Sequence, residues 1–327
     1  MKENPWCRES VPAASMENYM NKESKRVIPR EWSVGARSET GYVRSENQDR
    51  MSCVGTPFGY AYIVSDGMGG HRAGALAAQL TIETLAQALP AIQSISSAPA
   101  EIRHAVEEAN RAVYERGHSG ATETRGMGAT VVVLFVAGSQ ALIAHVGDSR
   151  AYLYAGGVLR QLTRDHSRVQ KMVDEGLLAA AEAASHPDAS ILDRAIGVAP
   201  RVEVDISGWL SLHEGERILL CSDGLHGYVA DSEIITVLEN EASPQELANR
   251  LVDLALQKGG EDNITVQLLE YERPGKSAWT KIVRHLTSTK TKWTGFASGI
   301  QIPTQFPLPA SSTKVLAIIP GTAANGP

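Results

Sequence analysis

The sequence predicts an α+β fold, a four-layer α-β-β-α sandwich in which two packed, mainly antiparallel sheets are flanked by helix pairs. Two pairs of helical segments, one near each end of the folded region, are the first observation. The second is a series of short apolar runs between these pairs, several of them joined by glycine-containing turns typical of hairpins. Because each apolar sheet face must be covered, two sheets and two helix pairs fit one layered domain.

The chain divides into three parts by composition. It has 327 residues, of which 43% are hydrophobic and 21% charged, as in ordinary globular proteins. Residues 1–32 mix both charge signs with few periodic apolar positions and predict a flexible N-terminal arm. Residues 274–327 are rich in Ser, Thr and Pro and contain six Lys and Arg but no acidic residue, which predicts a disordered basic tail. The folded domain is therefore expected to span residues 33–273.

The first part of the domain predicts strands and one helix pair. Residues 33–38 indicate an opening strand, and residues 60–65 form a β-branched and aromatic run typical of a buried strand. A helix that ends before Pro90 is marked by apolar residues on one face, namely Leu76, Leu80, Ile82, Leu85 and Leu89. A second helix, ended by Gly117, is marked by Ile102, Val106, Ala109 and Val113. These two helices are expected to pair on one sheet.

The middle of the domain predicts two hairpins and a flap. Residues 129–136 and 141–146 flank a turn at Gly138, and residues 151–154 and 158–162 flank Gly156-Gly157. Residues 166–197, with a short helical pattern and an alanine-rich run, are interpreted as a flap over or beside the functional site.

The last part predicts a strand, the second helix pair and, at the apolar run of residues 264–268, a closing strand. Alternation of Val202, Val204 and Ile206 indicates a strand. Asp231 or Ser232 is expected to cap a helix that runs through Leu238. Residues 243–246 form a capping box with proline at the first helical position, so a further helix is expected to reach about residue 258.

Acidic residues recur at the ends of the apolar runs. Ser-Asp-Gly closes two runs at Asp66 and Asp223, Gly-Asp closes a third at Asp148, and Asp262 precedes a fourth. One Asp-Gly alone is commonly a solvated turn, but four carboxylates at converging strand ends would repel one another unless a cation bound them. Oxygen ligands select Mg²⁺, Mn²⁺ or Ca²⁺ over zinc. The three cysteines are scattered and suggest neither a disulfide framework nor a zinc knuckle.

Six motifs in a fixed order resemble the metal-dependent protein phosphatases of type 2C in their bacterial form. The resemblance covers about residues 33–270. Its motifs are Arg44-Ser45-Glu46-Asn47-Gln48-Asp49, Asp66-Gly67-Met68-Gly69-Gly70-His71, Gly147-Asp148-Ser149-Arg150, Thr163-Arg164-Asp165-His166-Ser167, Ser222-Asp223-Gly224-Leu225 and Asp262-Asn263-Ile264-Thr265. Each motif alone is weak, whereas six ordered motifs within one domain are specific.

The resemblance implies hydrolysis of phosphoserine and phosphothreonine in proteins by a hydroxide bridging two Mn²⁺ or Mg²⁺ ions, with a weaker third ion. It implies that one metal is held by Asp66, Asp223 and Asp262, and the second by Asp66 and the carbonyl of Gly67. The third would be held by Asp148 with Asp223. It also assigns Arg44 to the substrate phosphate and Asp49 to metal-bound water.

Two positions depart from the family pattern. Eukaryotic members carry, after Asp-Gly, a histidine thought to protonate the leaving alcohol, and here that residue is Met68, which has no proton to give. His71 is one candidate donor and a metal-bound water another, and a structural role for His71 stays equally open. Ala75 stands where bacterial relatives often carry glutamate. Neither change removes a predicted metal ligand.

The alternative hypothesis is a catalytically silent metal-binding module that uses the fold as an interaction surface. Retention of Arg44 and the repelling carboxylates favours the enzyme. The expected partners are phosphorylated proteins and a cognate Ser/Thr kinase, and the net charge of −6 gives no reason to expect nucleic acid. No apolar run approaches the roughly 20 residues of a membrane span and no signal peptide is evident, so a cytoplasmic location is expected.

Overall fold

The computed structural model describes residues 31–69 and 72–272, and the predictions for the arm (1–32) and the basic tail (274–327) lie almost wholly outside them. Thirteen strands are found in this described part: β1 Trp32–Glu39, β2 Arg50–Thr56, β3 Gly59–Ser65, β4 Gly67–Met68, β5 Gly128–Ala129, β6 Val131–Ala137, β7 Gln140–Val146, β8 Arg150–Ala155, β9 Val158–Gln161, β10 Asp205–Ile206, β11 Leu210–Ser211, β12 Arg217–Cys221 and β13 Ile264–Tyr271. The α-helices of the same part are α1 Arg72–Ala88, α2 Ala98–Gly117, α3 Arg168–Asp174, α4 Asp223–His226, α5 Asp231–Leu238 and α6 Pro244–Gln257.

The strands form two antiparallel sheets. One has the order β1-β13-β12-β8-β9, and the other has the order β10-β7-β6-β3-β2 with β11 also paired to β7. The short strands β4 and β5 form a separate ladder directly after β3 and directly before β6. Consequently the first Asp-Gly turn, Asp66-Gly67, lies where β3 ends and the small ladder begins.

Three apolar layers hold the sandwich together, as the alternating strand pattern requires. Residues of α1 and α2 pack on one face of the second sheet, where Ile63 and Phe135 lie. The opposite face, with Val64 and Leu134, packs on the first sheet. The outer face of the first sheet packs on α5 and α6. The predicted α-β-β-α sandwich is therefore confirmed.

The helix boundaries follow the sequence signals closely. A turn of 3₁₀ helix containing Pro90 follows α1, and α2 ends at Gly117 as predicted. At the start of α6 the Ser243 hydroxyl accepts the Glu246 N–H, and the Glu246 carboxylate accepts the Ser243 N–H, which completes the capping box. The predicted cap of α5 is wrong by one residue, because Asp231 is already helical and Glu233 reaches back to the N–H of Ala230.

The predicted strand at residues 202–206 is shorter than its alternation indicates. Only β10 pairs with β7, through Asp205 and Ile206. The carbonyls of Glu203 and Val204 instead accept hydrogen bonds from the guanidinium groups of Arg194 and Arg103. Arginine side chains therefore take backbone acceptors that a longer ladder would need.

The flap predicted at residues 166–197 contains α3 and a 3₁₀ segment, Ala180–Ser185. Its two ends come together where Ser167 bridges Leu192 and where the His166 carbonyl accepts the Asp193 N–H. Within residues 31–69 and 72–272, every helix is too short or too polar to cross a bilayer.

Candidate active site

The two Ser-Asp-Gly motifs lie at the ends of inner strands that belong to different sheets. Asp66 directly follows β3, and Asp223 is the first residue of α4, separated from β12 by Ser222 alone. Their glycines permit close backbone approach. A Cβ on Gly67 would lie 2.1 Å from the Gly74 carbonyl oxygen, and one on Gly224 would lie 2.0 Å from the Asn263 carbonyl oxygen. Both glycines are thus required for packing at the site.

Thr130, the residue between β5 and β6, fixes the backbone of Asp66. Its N–H donates to the Asp66 carbonyl at 2.8 Å, and its hydroxyl accepts the Asp66 N–H at 3.0 Å. The same hydroxyl lies 2.6 Å from that of Ser149, the residue after Asp148. Thr130 therefore joins the Asp66 turn to the Asp148 turn, a role that the sequence reasoning missed because Thr130 lies inside an apolar run.

Asn263 holds the first motif beside Asp262. Its side-chain oxygen accepts the Gln48 N–H at 2.8 Å, while its amide nitrogen donates to the carbonyls of Thr40 and Glu46. The loop that carries Arg44 and Asp49 is consequently clamped to the start of β13. In the sequence this role is indicated by the position of Asn263 directly after Asp262, but the sequence alone suggested a role only for Asp262.

Arg44 lies at the rim of the cluster. Its guanidinium donates to Asp262 Oδ2 at 2.8 Å, and 52% of its side chain is exposed. Asp262 Oδ1 accepts the N–H of Asn263 at 2.8 Å. Arg44 is therefore held in the carboxylate cluster and also faces solvent, from where a substrate phosphate would approach.

Asp49 is the most deeply buried carboxylate of the cluster. It is 3% exposed, and its Oδ2 accepts the hydroxyl of Ser222 at 2.7 Å. Its Oδ1 is buried without a hydrogen-bond partner, as is Oδ1 of Asp223, within the described chain. Buried carboxylate oxygens with free lone pairs are costly unless a donor or a cation satisfies them.

Burial and mutual repulsion raise the pKa values of the clustered acids. Burial, assisted by Asp223 and Asp262, raises the pKa of Asp49 to about 7. Burial and the neighbouring Asp223 and Asp165 raise the pKa of Asp148 to about 8. The pKa of Asp66 lies well above its usual value through burial and the charges of Asp49 and Asp223. Burial and mutual repulsion therefore favour the protonated acids in the metal-free protein, and a bound cation would offset both effects.

This donor set fits divalent Mn²⁺ or Mg²⁺. The predicted ligands Asp66, Asp148, Asp223 and Asp262 interact electrostatically across the cluster, with Arg44 as the cation among them. All donors are oxygens, which these ions prefer. The Gly67 carbonyl, the remaining predicted ligand, lies against Gly74 at the start of α1, since a Cβ on Gly74 would lie 2.5 Å from it.

In the absence of divalent cations the contribution of these acids to the stability of the domain is expected to fall between about pH 4 and pH 8. The carboxyls of Asp49 and Asp148 are protonated in the folded state up to pKa values of about 7 and about 8, whereas they ionise near 3.9 when unfolded. Their contribution to stability is therefore present below pH 4 and is lost as pH rises through 7 and 8. Melting temperatures in chelator across this range measure the effect, and a melting temperature that rises steadily to pH 8 would contradict the raised pKa values.

A second group of side chains lies at the base of the flap. Ligand atoms of His145, His166 and Asp205 lie within 4.8 Å of one another. However, His166 Nδ1 accepts the Gly147 N–H at 3.1 Å, so the neutral ring carries its proton on Nε2, which faces Asp205 at 3.3 Å. This arrangement favours a histidine–aspartate contact over a metal site. The backbone N–H of His166 also donates to the Gly147 carbonyl. His166 therefore fixes Gly147, the residue before Asp148.

The structure brings together all the predicted site residues that it describes. These are Arg44, Asp49, Asp66, Gly67, Asp148, Asp223 and Asp262. His71 lies outside the described residues. Met68 is partly buried and pairs with Gly128 in the β4–β5 ladder.

Comparison with known proteins covers the same stretch of chain. Residues 42–268 match the family described as protein phosphatase 2C. The serine/threonine phosphatase stp of Listeria monocytogenes is 37% identical over 238 residues, which are 72% of this chain and 94% of that protein. The serine/threonine protein phosphatase PstP of Mycobacterium tuberculosis is 39% identical over 236 residues, which are 71% of this chain and 43% of that protein.

Solved structures agree with the sequence relatives. The serine/threonine phosphatase of S. agalactiae superposes with a TM-score of 0.70 and 35% identity, covering 74% of this chain and all of that one. The catalytic domain of PstP in complex with two manganese ions gives a TM-score of 0.65 and 34% identity, covering 74% of this chain and 99% of that one. The matched residues 42–268 include Arg44 and each of the clustered aspartates.

Proposed function

Since this chain belongs to the protein phosphatase 2C family and is a metal-dependent serine/threonine phosphatase, we propose that its carboxylate cluster is the catalytic centre and that Arg44 receives the substrate phosphate. The observation that carries this assignment is the convergence of Asp66, Asp223 and Asp262 on the half-exposed Arg44. Phosphorylated proteins are the substrates. The silent-module alternative is not supported, because the relatives are phosphatases and the predicted ligands that the structure describes lie together.

The proposed ligands divide between the two sheets. Asp66 would contact both principal ions, Asp223 and Asp262 would complete the first, and the Gly67 carbonyl would contribute to the second. Asp148 with Asp223 would hold a weaker third ion. When bound, the ions supply a hydroxide nucleophile near neutral pH and neutralise charge on the transferring phosphoryl group.

Asp49 and Arg44 act around these ligands. Asp49, held by the Ser222 hydroxyl, keeps its free Oδ1 as an acceptor that orients water within the cluster. Arg44 offers a planar fork suited to two phosphate oxygens. Its contact with Asp262 holds the guanidinium in place before substrate arrives, which reduces the ordering cost of binding.

The proton donor to the leaving alcohol is proposed to be His71. Met68 is a thioether without a transferable proton, and His71 follows it by three residues in the same glycine-rich stretch of sequence. A metal-bound water stays the alternative that the sequence already indicated. Residues 33–273 are proposed as the catalytic domain, the protein is proposed to oppose a cognate Ser/Thr kinase, and its location is proposed to be cytoplasmic.

Manganese-dependent release of phosphate from phosphoserine and phosphothreonine peptides tests the proposal. Activity is expected with Mn²⁺ or Mg²⁺ and is expected to disappear in chelator. Equal turnover in chelator would contradict the assignment of the aspartates to metal binding.

Replacing Arg44 by alanine is expected to lower kcat/KM for a phosphopeptide by about a hundredfold, the scale of one lost charge-assisted contact. Because Arg44 also pairs with Asp262, a modest change in Mn²⁺ affinity is expected as well. Steady-state kinetics and a Mn²⁺ titration measure both effects. Arg111→Ala, which removes an exposed arginine paired with Glu108 on α2, is the matched control and should be unchanged. An Arg44 variant as active as this control would remove Arg44 from the site.

A further inference from the structure

Two large apolar side chains stand exposed immediately before Arg44. Tyr42 is 73% exposed and Val43 is 69% exposed. Single exposed apolar residues are common on protein surfaces and need no explanation. Here two of them are adjacent, and the next residue of the chain is the proposed phosphate ligand.

The backbone beneath these side chains is fixed. The Tyr42 N–H donates to the Gly260 carbonyl at 2.7 Å, and a Cβ on Gly41 would lie 2.3 Å from the carbonyl oxygen of Asp262. The Tyr42 ring also lies over Gly260, because a Cβ there would meet Tyr42 Cδ2 at 2.9 Å. Tyr42 is therefore held against Gly260 by its backbone and its ring, and Val43 follows it directly in the chain.

A second aromatic residue borders the same carboxylates. Tyr228 lies two residues after the end of α4 and is partly buried. Burial and the charges of Asp262, Glu261 and Asp223 raise its pKa, which places its hydroxyl near the same end of the site. A second aromatic ring therefore lies within electrostatic reach of Arg44 and Asp262.

We propose that Tyr42 and Val43, the Tyr42–Val43 surface, bind an apolar side chain of the substrate protein directly beside the phosphorylated residue. The proposal rests on the function proposed above. In an extended peptide each residue advances by about 3.3 Å, and Val43 and Tyr42 precede Arg44 by one and two residues, so the surface would lie at the distance of the residues next to a phosphoserine held by Arg44. An apolar neighbour would be removed from water there, and a polar neighbour would gain nothing.

The test compares phosphopeptides that differ only next to the phosphoserine, with Leu or Ser at the preceding or the following position. A small aryl phosphate, which has no peptide chain, is the third substrate. The variant carries Tyr42→Ser and Val43→Ser together. The control is Val158→Ser, which removes a comparably exposed valine, 64% exposed, in the β8–β9 hairpin at the opposite end of β8 from Arg150.

Wild-type protein is expected to prefer Leu to Ser at one of these positions by about tenfold in kcat/KM, the factor for removing roughly 55 Å² of apolar surface from water. The double variant should lose this preference, with its rates on the Ser peptides and the aryl phosphate within about twofold of wild type. The control should retain the preference.

Equal wild-type rates on the Leu and Ser peptides, or a preference that survives in the double variant, would overturn the proposed surface alone. A double variant that also loses activity on the aryl phosphate would overturn it too, because the two side chains would then serve the reaction centre. Wild-type protein that hydrolyses the aryl phosphate but neither peptide would overturn the proposed function together with the surface.

Discussion

Asp66→Asn is expected to lower kcat/KM by about a thousandfold or more on peptide and aryl phosphates alike. Asp66 is the proposed ligand shared by both principal ions, and its backbone is fixed on both sides by Thr130, so a neighbouring residue has no freedom to replace it. The amide keeps the shape but removes the charge that the ions require. Loss of a preorganised charge contact at a reacting centre commonly costs factors of this order.

Two matched Asp→Asn variants show whether the loss is specific to the site. Asp253→Asn removes an exposed carboxylate that pairs with Arg37 and should leave kinetics unchanged. Asp148→Asn should give an intermediate loss, partly recovered at high Mn²⁺, because it concerns the weaker third ion. Steady-state kinetics from low to saturating Mn²⁺ provide the comparison, and an Asp66 variant within tenfold of wild type at saturating Mn²⁺ would refute its position as the shared ligand.

Asp223→Asn is expected to have opposite effects on stability with and without metal. In chelator the variant should be at least as stable as wild type, because burial and Asp262 already raise the pKa of Asp223 and the substitution removes one of the repelling charges. With Mn²⁺ the wild type gains stability by mass action, on the order of 2.7 kcal/mol at a hundredfold excess over Kd. The variant should lose most of this gain and nearly all activity.

An aspartate that served only the fold would behave in the reverse way. Removing a carboxylate satisfied by backbone donors leaves those donors unpaired and destabilises the metal-free protein, with the response to metal intact. Asp223 Oδ1 instead lies buried without a partner in the described chain. The substitution therefore separates a ligand from a structural aspartate by the sign of its effect.

The sequence predicted those features that repeat or that depend on local chemistry. The sandwich followed from hydrophobic periodicity, the start of α6 from Ser243 and Glu246, and the carboxylate cluster from the recurrence of Asp-Gly at strand ends. The repetition was informative because both Ser-Asp-Gly turns, one on each sheet, need a glycine after the aspartate. A side chain at Gly67 or at Gly224 would collide with a neighbouring backbone carbonyl.

Features that depend on partners distant in sequence were missed. The edge strand β2 was not predicted, since its side chains alternate weakly and its pairing with β3 is what orders it. The roles of Thr130 and Asn263 lie in contacts across 64 and 215 residues of chain. Similarly, the two arginines that shorten the predicted strand at residues 202–206 reach it from α2 and from the end of the flap.

Thermal melting of wild-type protein and Asp223→Asn, each with chelator and with saturating Mn²⁺ at one pH, tests the central claim that the clustered aspartates are a cation site. The wild type is expected to gain about 5 °C or more with Mn²⁺, as a few kcal/mol would give a domain of this size. The variant should gain little and should melt in chelator no lower than wild type. A variant that matches the wild-type Mn²⁺ shift, or that melts well below wild type in chelator, would contradict the metal site.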